Sequence, residues 1–118
     1  MRSLRLGAAA VAALALTAVP AQGGSAPMKL TGTVGPGFTI KLTMGGKTVK
    51  ALRPGKYALT IIDRASNHNF HLRGPGVNVD SGVARKGTKT YPITLKKGTY
   101  RFVCDPHDTT MKGSFVVR

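Results

Sequence analysis

From Met28 to the C terminus the chain is a succession of short runs in which polar and apolar residues alternate, separated by turns rich in Gly and Pro. Met28–Val34 and Phe38–Met44 flank Gly35-Pro36-Gly37, and Gly45-Gly46 precedes Lys47–Leu52. Arg53-Pro54-Gly55 leads into Lys56–Asp63, and Asn69–Arg73 is closed by Gly74-Pro75-Gly76. Lys89–Leu95, Thr99–Cys104 and Gly113–Val117 continue the series. A period of two sends successive side chains to opposite faces of a strand, whereas the 3.6-residue apolar period of a helix is absent from all of these runs. Alternation interrupted by turn residues at this spacing predicts an all-β fold, an antiparallel β-sandwich or barrel of seven to eight strands.

The residues before Met28 read differently. Arg2 and Arg5 precede an uncharged, Ala-rich run from Leu6 to Val19, and Val19-Pro20-Ala21 places small residues where a signal peptidase cuts. This predicts a signal peptide over residues 1–21, cleaved after Ala21, then a flexible lead-in over 22–27 and one domain over 28–118. The apolar run is short for a membrane span, and no second such run follows, so no transmembrane segment is expected in the mature chain. The expected location is outside the cytoplasm, secreted or periplasmic.

Export makes the cysteine content informative. Cysteines in oxidising compartments usually pair, and Cys104 is the only one in the chain. It must be buried and inert, bridged to another molecule, or held by a metal. Charge adds a second constraint. Without residues 1–21 the chain carries sixteen Lys and Arg against four Asp. Such an excess keeps a β surface soluble and steers it toward anionic partners. The cations are spread along the sequence with no aromatic-rich runs among them, so nucleic acid is not an expected partner.

The chemistry concentrates in 99-TYRFVCDPHDTTM-111. Tyr100, Phe102 and Cys104 share parity on one strand and face the core. Pro106 cannot donate a ladder hydrogen bond and ends the strand near Asp105. His107 then falls in a loop, and Met111 stands where the next strand begins. One short loop thus gathers a thiolate, an imidazole and a thioether. In 66-SNHNFHLR-73, alternation puts His68 on the face of Phe70 and Leu72, and His71 on the opposite face, outward and solvated. His68 is therefore the favoured fourth donor. A thiolate, two imidazoles and a weak axial thioether form the donor set of a blue-copper site, since sulfur suits Cu(I) and imidazole suits both oxidation states. Asp105 and Asp108 lie in this loop without a second carboxylate or a Ser/His/Asp arrangement, so they are not read as acid–base residues and the chain is not read as an enzyme.

The run Leu95-Lys96-Lys97-Gly98-Thr99-Tyr100-Arg101-Phe102-Val103-Cys104-Asp105-Pro106-His107, the following Met111-Lys112-Gly113 and the upstream His68-Asn69 pair resemble the small cupredoxins, the plastocyanins and amicyanins. The resemblance spans the whole mature domain. It implies a Greek-key β-sandwich with one type 1 copper ion bound by His68, Cys104, His107 and Met111. It also implies that Asn69 ties the two ligand loops together by hydrogen bonds, and that the ring edge of His107 is the electron portal within a hydrophobic patch. Tyr100 is expected to brace a Greek-key crossover. The departures are a His107–Met111 spacing between those of plastocyanins and amicyanins, Asn67 where plastocyanins carry proline, and no acidic surface patch. The expected function is single-electron transfer by a monomer, its redox partner carrying an acidic docking surface. Two alternatives are a copper storage or delivery protein with the same ligands, and a metal-free basic sandwich that binds acidic polymers or the cell envelope.

Overall fold

A computed structural model describes residues 26–118; the expected signal peptide and most of the lead-in lie outside them. The strands are β1 (Met28–Val34), β2 (Ile40–Met44), β3 (Lys47–Thr48), β4 (Ala51–Leu52), β5 (Gly55–Asp63), β6 (His71–Gly74), β7 (Val77–Asp80), β8 (Gly87–Leu95), β9 (Gly98–Val103) and β10 (Lys112–Val117). They form two five-stranded sheets, ordered β3-β2-β1-β5-β8 and β4-β10-β9-β6-β7. The expected sandwich is present, with ten described strands where seven to eight were predicted. The run read as one strand over Lys47–Leu52 is two. Buried Val49 bonds back to Leu42, after which the chain crosses to the other sheet, where Lys50 O accepts the N–H of Val116. Val77–Asp80 was not anticipated, because a four-residue strand offers only two alternations. The sheets are also mixed: β1 runs parallel to β5, and β4 parallel to β10.

The parallel pairing positions the functional end. Val34 and Asp63 are partners at the ends of β1 and β5, so the loops that follow both strands leave from the same tip of the sandwich. Arg64 N donates to Val34 O (2.9 Å) and fixes that exit. The β9–β10 connection emerges at the same tip, since Asp105 N donates to Asn69 Oδ1 in the segment that follows β5.

Between the sheets, alternate residues meet as a period of two requires. Leu30, Leu42, Leu59, Ile61, Phe70, Leu72, Tyr100, Phe102 and Phe115 are buried. Phe70 stacks on Phe102 (centroids 5.3 Å) and Tyr100 on Phe115 (5.2 Å). Gly32 leaves room for this layer, because a Cβ there would lie 2.8 Å from the Phe70 ring. The opposite end of the sandwich carries two similar corners. Tyr100 Oη accepts the N–H of Lys96 (2.8 Å) and lies within reach of the carbonyls of Lys96 (3.0 Å) and Pro75 (3.1 Å). Tyr57 Oη donates to Arg53 O (2.8 Å). Each follows a glycine by two residues, Gly55 at φ 147° and Gly98 at φ 144°, a backbone region that favours glycine. The expected role of Tyr100 is present, and Tyr57 repeats it.

Candidate metal centre

Two loops carry the four residues expected to bind the metal. The segment after β5 carries His68, which is 2 % exposed, and the loop after β9 carries Cys104, fully buried, with His107 partly exposed and Met111 fully buried. That second loop is shaped by its own backbone. Pro106 lies in a 3-10 turn (Asp105–His107), and His107 N donates to Cys104 O (3.0 Å). Met111 N donates to His107 O (2.8 Å), and Cys104 N donates to Met111 O (3.0 Å). These bonds fold the loop on itself and bring the Cys104 and Met111 backbones side by side.

Cys104 Sγ lies 3.6 Å from His68 Nδ1 and 3.5 Å from His107 Nδ1, and the two imidazole centroids are 4.9 Å apart. Two donors that each stand roughly 2.0–2.3 Å from one ion, at an angle near tetrahedral, are separated by about 3.5 Å. The separations in this cluster therefore fit a single metal ion. A thiolate with two imidazoles is a soft, nitrogen–sulfur set that suits copper better than hard cations.

Phe38 completes the tip. It was expected to open a strand; instead it sits in the β1–β2 loop, 67 % exposed, edge-on to His68 (centroids 5.6 Å) and His107 (4.9 Å). The sequence signal was its place directly after Gly35-Pro36-Gly37, where the turn can hold it out of the ladder. With His107 it makes the surface over the cluster apolar.

Beneath the cluster lies a polar network. Asn69, fully buried, donates from Nδ2 to Asp105 Oδ2 (2.7 Å) and Asp80 Oδ1 (2.9 Å), while its Oδ1 accepts the N–H of Asp105 (2.7 Å). The segment bearing His68 is thereby clasped to the residue after Cys104. His71 departs from expectation. It leaves the face opposite Leu72, as alternation requires, but it is buried rather than solvated. Neighbouring side chains replace the water. Nδ1 donates to Asp105 Oδ2 (2.7 Å), Asn78 Oδ1 lies 2.6 Å from Nε2, and Arg73 Nε donates to Nε2 (3.1 Å). His68 lies in the cluster with Cys104 and His107, and His71 lies in a separate group with Asp80 and Asp105. Burial pushes the Asp105 carboxyl up, but hydrogen bonds from Asn69 and His71 and the positive charge of Arg73 outweigh it, so Asp105 is held below the usual carboxylate range. Asp63 is the reverse case. Its burial dominates the Ala65 N–H bond, the His68 charge and the Ser81 hydrogen bond, and its carboxyl is pushed up.

A buried sulfur between two imidazoles at the tip of a mixed β-sandwich defines a metal-binding protein of the blue-copper class. The copper binding proteins of the plastocyanin/azurin family match residues 36–118, so this chain belongs to that family and is a cupredoxin with one type 1 copper ion as its cofactor. Solved structures with this fold include the copper protein rusticyanin (20% identical, TM-score 0.57, covering 76% of this chain and 76% of that one). Reduced rusticyanin is similar at 20% identity and TM-score 0.57, over 81% of this chain and 82% of that one. Rusticyanin from Thiobacillus ferrooxidans is similar at 23% identity and TM-score 0.54, over 76% of each chain. At these identities the likeness speaks for the fold. No curated protein sequence matches the chain. Among the described residues no helix is long and apolar enough to cross a membrane.

Proposed function

We propose that this protein is an exported one-electron carrier in which His68, Cys104, His107 and Met111 hold the copper ion. The observation that carries the reading is the cluster of Cys104 Sγ with two imidazole nitrogens at 3.5 and 3.6 Å, buried at one tip of the fold. Copper, when bound, supplies a Cu(I)/Cu(II) couple that takes one electron from a donor and passes it to an acceptor.

The residues around it favour transfer over catalysis. The loop's internal hydrogen bonds and the Asn69 clasp hold the donors in place through the backbone, which limits rearrangement between oxidation states. Cys104 and Met111 are sealed from water. His107 is the donor at the surface, packed against exposed Phe38, and offers an apolar contact at which a partner exchanges the electron. No substrate is bound or turned over in this scheme. The cationic surface orients an acidic redox partner, and the protein works outside the cytoplasm after residues 1–21 are removed.

The test is the visible and EPR spectrum of the copper-loaded chain. An intense thiolate-to-copper band is expected, and Cys104→Ser abolishes it. His68→Ala loses the band while His71→Ala retains it; the reverse result would exclude His68 as the ligand. Met111→Leu keeps the colour and raises the reduction potential.

A further inference from the structure

Asp63 is a buried carboxylate that takes no part in the copper cluster. It closes β5 on the inward side, sharing parity with buried Leu59 and Ile61, and is 4 % exposed. Its Oδ1 accepts the N–H of Ala65 (3.1 Å), and among the described residues Oδ2 has no hydrogen-bond partner. An ionised carboxylate can only accept hydrogen bonds, and a buried acceptor left unpaired destabilises the fold. The carboxylate lines a cavity of about 210 Å3. Ser81 closes one side of it and is held to Phe70 by two hydrogen bonds, Ser81 N to Phe70 O (3.1 Å) and Phe70 N to Ser81 Oγ (2.8 Å).

The same cavity is lined by three cations, Arg85 and Lys86 in the β7–β8 loop and Lys89 on β8. All three are exposed, and among the described residues none forms a salt bridge. Two of them are held in place. Arg85 folds back over Gly82, where a Cβ would lie 3.4 Å from Arg85 Cδ, and Lys89 Nζ stands 5.1 Å from the centroid of the Tyr91 ring. An orphan acceptor and three unpaired cations thus face one space without meeting. A group that bridges them must donate a hydrogen bond to Oδ2 and present negative oxygens to the cations. Water meets only the first requirement. A fully deprotonated oxyanion meets only the second, because it sets oxygen against oxygen at Oδ2. A protonated oxyanion meets both, and three cations facing one carboxylate suit a dianion.

We propose that this cavity is a binding site for free hydrogen phosphate, its P–O–H donating to Asp63 Oδ2 and its charged oxygens taken by Arg85, Lys86 and Lys89. The proton sets the specificity. At about pH 8 inorganic phosphate retains one proton, whereas sulfate and a phosphomonoester, whose second pKa is about 6, retain none. Either would place an acceptor against the buried carboxylate, and a site built around a hydroxyl strongly rejects analogues that lack it. The site uses none of the copper donors and does not depend on the electron-carrier reading.

The test is calorimetric titration of inorganic phosphate, sulfate and glycerol phosphate into the copper-loaded full chain at about pH 8, with ionic strength matched by chloride. Phosphate is expected to bind one-to-one, about tenfold or more tightly than either of the others. Asp63→Asn, whose amide can turn a donor toward the ligand, should bring phosphate and sulfate to within about threefold of each other. Arg85→Gln/Lys89→Gln should weaken phosphate by about tenfold or more, while Lys41→Gln/Lys47→Gln, which removes the same charge from β2 and β3, stays close to the parent. Circular dichroism checks that each variant is folded, and the Arg85/Lys89 variant tests the site even where Asp63→Asn does not fold. Equal binding of phosphate and sulfate by the parent would overturn the proposal, as would glycerol phosphate binding as tightly as phosphate. So would an Asp63→Asn variant that still rejects sulfate, or equal losses in the two double variants. The titrations are repeated on the copper-free chain. A missing blue band therefore sinks the copper reading alone, and missing phosphate binding sinks the Asp63 site alone.

Discussion

Asp63 and Asp105 show how residues of one type diverge when their surroundings differ. Asp63 is 4 % exposed, and its Oδ2 has no hydrogen-bond partner. Its folded pKa is raised, so the folded state holds the proton more tightly than the unfolded chain does. The stability cost appears as pH rises from the ordinary aspartate value, about 3.9, through the raised folded value, and is absent below it. Asp63→Asn keeps the acceptor for Ala65 and removes the buried charge. It should stabilise the copper-free protein by about 1 kcal/mol near neutral pH, with no gain in acid, as read by urea unfolding. Asp105 has a lowered folded pKa, so its contribution is present above the ordinary value and lost as pH falls through the folded one. Asp105→Ala should destabilise the neutral copper-free protein by roughly 1–2 kcal/mol, discounted for its partial exposure, and should shift the copper band by releasing the clasp. An unaltered spectrum would mean that Asn69 holds the loop without it. The closeness of Cys104 and His107 was legible in the sequence because one short turn separates them. The sequence could not reveal the burial of His71, since alternation tells which face a side chain leaves but not what lies over it. The cover comes from Arg73, Asn78 and Asp105, of which only Arg73 is close to His71 in sequence.

At the scale of elements, the strands with long alternations were legible and the short ones were not. β5 and β9 keep strict alternation because each is packed on one face. β3 and β4 have two residues each, so no periodicity distinguishes one bent strand from two in different sheets. The parallel β1–β5 contact was hidden for another reason: its partners are brought together only after the chain has visited the second sheet through β4. The two tyrosine corners brace the end opposite the cluster, and they differ in strength. Tyr100 engages the N–H and carbonyl of Lys96 and the carbonyl of Pro75, whereas Tyr57 reaches one carbonyl. Tyr100→Phe should therefore cost about 2–3 kcal/mol and Tyr57→Phe about 1 kcal/mol, with unchanged urea m-values. Equal costs would show that ring packing, rather than the hydroxyl network, dominates both corners.

The whole molecule is governed by an imbalance of charge that its fold does not neutralise. Sixteen cations and four carboxylates follow residue 21, and among the described residues the one ion pair joins His71 to Asp105. Asp63 is buried, and the exposed Asp80, Asp105 and Asp108 offset only a small part of the surface charge. Folding brings the cations closer together than they are in the unfolded chain, so self-repulsion opposes the compact state. The Debye length shrinks from about 30 Å at 0.01 M salt to about 8 Å at 0.15 M, less than the width of a small domain. Sodium chloride over that range should stabilise the copper-free protein by about 1 kcal/mol, raising its thermal midpoint by roughly 4–8 °C. A protein held by attractive surface pairs would respond in the opposite sense, so a midpoint that falls with salt would refute the unpaired surface. The same screening weakens attraction to an anionic partner. Salt should therefore strengthen the fold while loosening the complex, and the two titrations on one sample separate a surface arranged for docking from one that merely carries charge.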